Sequence, residues 1–106
     1  MAREKPSQLQ KDVFKATAKI PRGKISTYAL VAEAIGKPRA ARAVGNALNK
    51  SSGMPSCPCH RVVKSDGSVG GFTGGTRRKI FLLRKEGLEI TSGNVSGFEN
   101  HLYKFR

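Results

Sequence analysis

The chain of 106 residues carries 20 Lys and Arg against 7 Asp and Glu, a net charge of +13, with 38% hydrophobic residues and no Trp. That length suits one domain with a core of its own and leaves no room for a second. With no run of about 18 apolar residues and no apolar leader in the opening segment, the expectation is an intracellular chain that neither spans a membrane nor is exported.

The charge is spread along the chain: eleven Lys and Arg against three acids in residues 1–50, and nine against four in 51–106. A folded basic surface of this kind favours a polyanion, most commonly nucleic acid; an ordinary solvated basic face is the alternative. The two cysteines, Cys57 and Cys59, are too few for a disulfide framework and fit a reducing compartment.

Ser7 precedes a segment in which Leu9, Val13, Ala16 and Ile20 recur at helical spacing, a capped helix stopped by Pro21 and Gly23. Thr27 or Ser26 then caps a second helix, with Val31, Ala34 and Ile35 facing inward. Gly36, Lys37 and Pro38 break it, and a third helix is expected over residues 38–49. Two short helices so closely joined resemble a helix-turn-helix. On the third helix Arg39, Arg42, Asn46 and Asn49 share one side, and Ala40, Val44, Ala47 and Leu48 the other. Its Ala and Gly content keeps it slim, which suits either a DNA groove or tight helix packing.

After an irregular connection over residues 51–58, His60 to Val63 reads as a short strand, and Asp66-Gly67 carries a hairpin-turn signal. Residues 67–75 are dense in glycine, a pattern of flexible wings and of backbone that approaches a ligand closely. A last helix starts near Thr76 and closes at Gly87. The tail, residues 91–106, is expected to dock weakly or stay disordered. The fold class is therefore a small, mainly α single domain over residues 1–106, a winged-helix-like helix-turn-helix with a short β hairpin or wing.

Chemistry concentrates in Cys57-Pro58-Cys59-His60-Arg61-Val62-Val63. Zinc is disfavoured, because three donors lack a fourth and C-x-C-H is not the usual ligand spacing. A disulfide between residues i and i+2 of an extended segment strains the Cα separation. Thiol chemistry or plain burial remain. On extended backbone Cys59 and His60 point apart, so activation would run through a water or a third group, with Glu86 or Asp66 as the carboxylate that orients the imidazole.

Pro58-Cys59-His60-Arg61-Val62 resembles the active-site signature of the O6-alkylguanine-DNA alkyltransferases, the methylated-DNA–protein-cysteine methyltransferases. Residues 23–28, 40–45, 67–75 and 82–87 fall in the same family order, so the resemblance covers about residues 12–90 and leaves residues 91–106 unmatched. It implies a minimal module of the family's C-terminal, DNA-binding type. The helix-turn-helix would enter the minor groove of double-stranded DNA through Thr27, Arg39, Ala41, Arg42 and Gly45. Arg42 would intercalate while an alkylated guanine flips towards Cys59, since a stacked base hides its O6 substituent.

By the same resemblance Tyr28 would donate to the guanine ring nitrogen. The carbonyls of Cys59 and Val62 would accept from its exocyclic amine, and Thr73 or Gly74 would face O6 beside Phe72. Glu86, His60 and a water would keep Cys59 a thiolate, with Lys79 assisting. The implied reaction is one displacement to a stable thioether, with no metal or cofactor, by a monomer in the cytoplasm with the nucleoid, or in a nucleus. Ser51 stands where the family usually has Asn, Phe72 where Tyr is common, and Cys57 where an aliphatic residue is usual.

Two other readings compete. Short chains also resemble the alkyltransferase-like proteins, which flip O6-alkylguanine without transfer and hand it to excision-repair proteins; there the cysteine is typically replaced. A winged-helix regulator with a structural cysteine is the third, against which Tyr28, Arg42, Cys59, His60 and Glu86 together argue.

Overall fold

The computed structural model describes residues 7–50, 58–70 and 76–105, without the side chains of residues 49, 50 and 76. Helix α1, Gln8–Thr17, begins with a capping box: Ser7 Oγ accepts from the Gln10 backbone N–H (3.1 Å), and Gln10 Oε1 accepts from the Ser7 N–H (2.8 Å). Val13 and Ala16 are buried along its inner side; the helix stops at Thr17, short of Ile20, which is buried in the turn beyond it. Strand β1, Ser26–Thr27, runs directly into α2, Tyr28–Ala34. Thr27 Oγ1 accepts from the Leu30 N–H at 3.0 Å, so Thr27 is the cap.

Gly36, at φ +79°, closes α2 in the left-handed conformation, and Lys37 N–H reaches back to Ala32 O at 2.9 Å. Helix α3 is Ala41–Lys50, starting later than the expected residue 38 because Pro38 and Arg39 belong to the turn. Val31 and Ala32 supply the inner face of α2. Ala34, expected inside, is exposed, because α2 ends there and the chain turns outward.

Beyond Pro58 the chain makes a 3₁₀ turn, Cys59–Arg61, and then strand β2, Val62–Val63. The strand expected from His60 onward is therefore half turn. β2 pairs in parallel with β1, Ser26 opposite Val62 and Thr27 opposite Val63, and not with the segment after the Asp66-Gly67 turn. That turn does close, with Gly67 N–H donating to Lys64 O and Lys64 N–H to Ser68 O, both at 2.9 Å; Ser68 then bridges Asn94. Helix α4, Thr76–Lys85, ends at Gly87 (φ +96°), where Leu88 N–H returns to Leu83 O at 3.1 Å.

The tail corrects the expectation of weak docking or disorder. β3, Ile90–Thr91, and β4, Asn94–Val95, form the hairpin of this fold, turning through Ser92 and Gly93 at φ +52° and +77°. Leu102 then lies parallel beside Ile25. Ile25 N–H donates to His101 O (2.9 Å), and Ile25 O accepts from Tyr103 N–H (2.7 Å). The segment at Ile25–Thr27 is thus flanked by β2 and by the tail.

Two apolar clusters result. One joins α1, α2 and α3 around Val13, Val31 and Val44 and includes Cys59 and Val62, with Tyr103 and Phe105 packed on it. The other joins Ile25, Val63, Leu83, Leu88, Ile90 and Val95 under α4. Among the described residues no helix is long and apolar enough to cross a membrane.

Candidate active site and nucleic-acid interface

The two clusters adjoin at β2, with Val62 in the first and Val63 in the second, directly after the turn Cys59–Arg61. Arg61 N–H donates to Pro58 O at 2.9 Å, and Val62 N–H closes the turn on Cys59 O. Cys59 and His60 are consecutive residues of this turn, not neighbours on extended backbone. Cys59 is 6% exposed and belongs to the helical cluster.

His60 Nε2 lies 2.9 Å from Glu86 Oε2, with side-chain exposures of 14% and 6%. Glu86 sits in the turn after α4, and its N–H is tied to Leu82 O and Leu83 O. Of the two acids proposed to orient the imidazole, Glu86 does so. Asp66 instead accepts from Ser68 N–H (2.9 Å) and Ser68 Oγ (2.7 Å).

The same carboxylate takes Arg61: Nε donates to Oε1 at 2.9 Å and Nη2 to Oε2 at 2.7 Å, while Nη1 donates to Ile20 O at 2.8 Å. Sequence reasoning missed Arg61, because an arginine in a chain this basic carries no mark of a partner 25 residues away. Burial alone would raise the Glu86 carboxyl, but the hydrogen bonds from Arg61 and then His60, with their charges, hold it down at about 2. His60 is pushed below its ordinary value, by burial first and by the charges of Arg61 and Lys79, with Glu86 opposing. A carboxylate facing Nε2 fixes that nitrogen as the donor and leaves Nδ1 as the basic one.

Lys79, on the inner face of α4, is fully buried. Its Nζ donates to Val62 O at 2.6 Å and to Tyr28 Oη at 3.3 Å, and lies 5.6 Å from the Tyr28 ring centre. Burial pushes Lys79 down to about 8, with Lys64 adding and Cys59 opposing; Tyr28 is pushed up by burial and by Cys59. A Cβ on Gly70 would stand 3.6 Å from Tyr28 Oη, and one on Gly45 would stand 3.8 Å from the Tyr28 ring. Tyr28 therefore lies between α3, the start of the glycine loop and Lys79. The Cys59 and Val62 carbonyls, expected to receive a guanine amine, already accept from Val62 N–H and Lys79, each keeping a second lone pair.

Arg42 and Asn46 are exposed on α3, with Arg39 exposed in the turn before it; Ala41 and Gly45 are half-buried. Thr27 is 4% exposed and its hydroxyl caps α2, so in this fold it holds the helix rather than facing outward. Phe72, Thr73, Gly74, Ser51 and Cys57 lie outside the described residues. Among the described residues no three His, Cys, Asp or Glu side chains converge.

A family model described as the DNA-binding domain of 6-O-methylguanine DNA methyltransferase matches residues 8–88. A methylated-DNA–protein-cysteine methyltransferase of Methanosarcina barkeri is 48% identical over 80 residues, which are 76% of this chain and 51% of that protein. The chain spans about half or less of the length of the curated relatives it matches. Schizosaccharomyces pombe (S. pombe) Atl1, solved in complex with damaged DNA containing O6-carboxymethylguanine, superposes with a TM-score of 0.81 at 29% identity, covering 95% of this chain and 99% of that one. Mycobacterium tuberculosis OGT in complex with DNA gives 0.74 at 40% identity, covering 77% of this chain and 51% of that one. The chain belongs to the 6-O-methylguanine DNA methyltransferase family, through that family's DNA-binding domain.

Proposed function

We propose that the protein repairs double-stranded DNA by moving the alkyl group of a flipped O6-alkylguanine onto Cys59, once per molecule. The observation that carries this reading is the His60 Nε2 to Glu86 bond at 2.9 Å, directly beside the thiol-bearing residue of the turn. Because Nε2–H donates to an ionised Glu86, the neutral ring presents Nδ1 to a water, which passes it the Cys59 proton. The sulfur then attacks the alkyl carbon, the carbon–O6 bond breaks, and its electron pair leaves with guanine. Tyr28 supplies a proton to the guanine ring nitrogen, and the Lys79 ammonium beside its hydroxyl stabilises the charge left there. Arg42, exposed on α3, is the side chain that fills the vacated stack, and the step requires no metal or cofactor.

One observation favours a second reading, lesion binding without transfer followed by hand-over to excision-repair proteins: S. pombe Atl1 matches over nearly its whole length, where M. tuberculosis OGT matches over half of its own. Intact-protein mass after incubation with duplex DNA containing O6-methylguanine separates the two. Transfer adds one methyl group, located on Cys59 and lost in Cys59→Ala. No gain in mass, with lesion-selective binding retained, overturns transfer in favour of the second reading.

A further inference from the structure

Helix α4 carries charge on two opposite faces. Its inner face presents Lys79 and Leu83, both fully buried, and ends next to Glu86. The outer face comprises Arg77, Arg78, Phe81, Arg84 and Lys85, all exposed. At about 100° per residue these five fall within a stripe roughly 120° wide. Phe81 lies near the middle of that stripe at 58% exposure, the one exposed large hydrophobic side chain among the described residues. α4 contains no acid, and Glu86 just beyond it is turned inward onto His60 and Arg61. Arg84 gives one nitrogen to Ile90 O (2.7 Å).

Four cations around one bare aromatic ring specify more than a polyanion. A duplex offers phosphates outward and keeps its bases stacked inside, which leaves Phe81 nothing to touch. A single strand offers phosphates and an open base face together, the pairing that cationic grooves with interleaved aromatics use. α3 packs on the helical cluster and α4 on the other, so this stripe is separate from the exposed face of α3. We propose that the outer face of α4 binds a single nucleic-acid strand, one base stacked on Phe81 and the flanking phosphates held by Arg77, Arg78 and Lys85. The proposal is independent of the transfer chemistry at Cys59.

The test is fluorescence anisotropy with a labelled oligothymidylate of about 15 nucleotides, long enough to overrun the roughly 15 Å of a ten-residue helix at both ends. Phe81→Ala is expected to weaken that complex about tenfold, with thermal unfolding and duplex binding unchanged. The double variant Arg77→Ala/Arg78→Ala is expected to lower the slope of log affinity against log salt by about one to two. Arg42→Ala is expected to leave oligothymidylate binding as it was. Photocrosslinking to a strand carrying 5-iodouracil should mark the peptide that contains Phe81. Equal binding by Phe81→Ala, or crosslinks confined to α3, overturns the proposal. So does polyglutamate binding as tightly through the same residues, which would make the face a docking surface for acidic protein.

Discussion

Helices α3 and α4 have the same length and both turn basic side chains outward, yet they are built on opposite plans. Among its described side chains α3 buries the apolar Val44, Ala47 and Leu48, and shows solvent Arg42 and Asn46 over a backbone slimmed by Ala and Gly. α4 buries a lysine and leads into a buried carboxylate, while its outward face exposes a phenylalanine. The first plan keeps polar groups on the solvent side and apolar ones inside. The second makes a helix a wall of the candidate site, at the cost of desolvating charge.

The difference can be broken at its strongest point first. Glu86→Ala leaves Arg61 and His60 without their carboxylate and should destabilise the fold by about 3 kcal/mol, read from urea unfolding. An effect below ~1 kcal/mol would mean that Arg61 merely decorates the surface. Leu48→Ala on α3 should cost about 2–3 kcal/mol through lost packing alone, and that loss should be the same at pH 7 and pH 5.

The wild type, by contrast, should lose stability with acid through the α4 side of the site. Glu86 and His60 both have folded-state values below their ordinary ones, so the unfolded chain takes up protons first. Their contribution is complete above about pH 6.5 and drains as pH falls, His60 first and then Glu86 from its ordinary 4.5 towards about 2. Thermal midpoints measured across that range should drop in two stages, and a Glu86→Gln variant should lose the lower one. A single flat profile would refute the assignment of these groups.

Gly45→Ala tests the α3 side. The added Cβ meets the Tyr28 ring at an ordinary 3.8 Å, and replacing a mid-helix glycine should stabilise by about 0.5–1 kcal/mol. If α3 lies in a DNA groove, the same change should weaken duplex binding, so stability and affinity move in opposite directions. The smallest change in stability belongs to Arg42→Ala, less than about 0.5 kcal/mol because the side chain is exposed. Alkyl transfer on duplex DNA should nevertheless slow, and unchanged rates would remove Arg42 from the mechanism.

Much of the helical half was legible because its signals are local. Ser7 before α1, Thr27 before α2, and Gly36 after it are caps that act within one turn. The apolar spacing of Val13, Ala16 and Ile20 marked the side that is buried. The other half was misread where pairing is distant. Asp66-Gly67 gave a true turn, but the strand before it pairs with β1, some 36 positions away in sequence, because hydrogen bonding along an edge is set by what lies beside it. Ser92-Gly93 carried an equally good hairpin signal inside a tail that composition alone made look loose.

For the candidate site, residue types and order were readable from the chain alone: Tyr28, Arg42, Cys59, His60, Lys79 and Glu86 on a basic background. Which of them meet depends on the folded chain. It chose Glu86 over Asp66 for His60, brought in Arg61, set Lys79 against Val62 and Tyr28, and folded the tail beside Ile25. The reason is physical: a side chain's type is fixed locally, but whether burial strips it of water and which partner replaces that water depend on segments tens of residues apart.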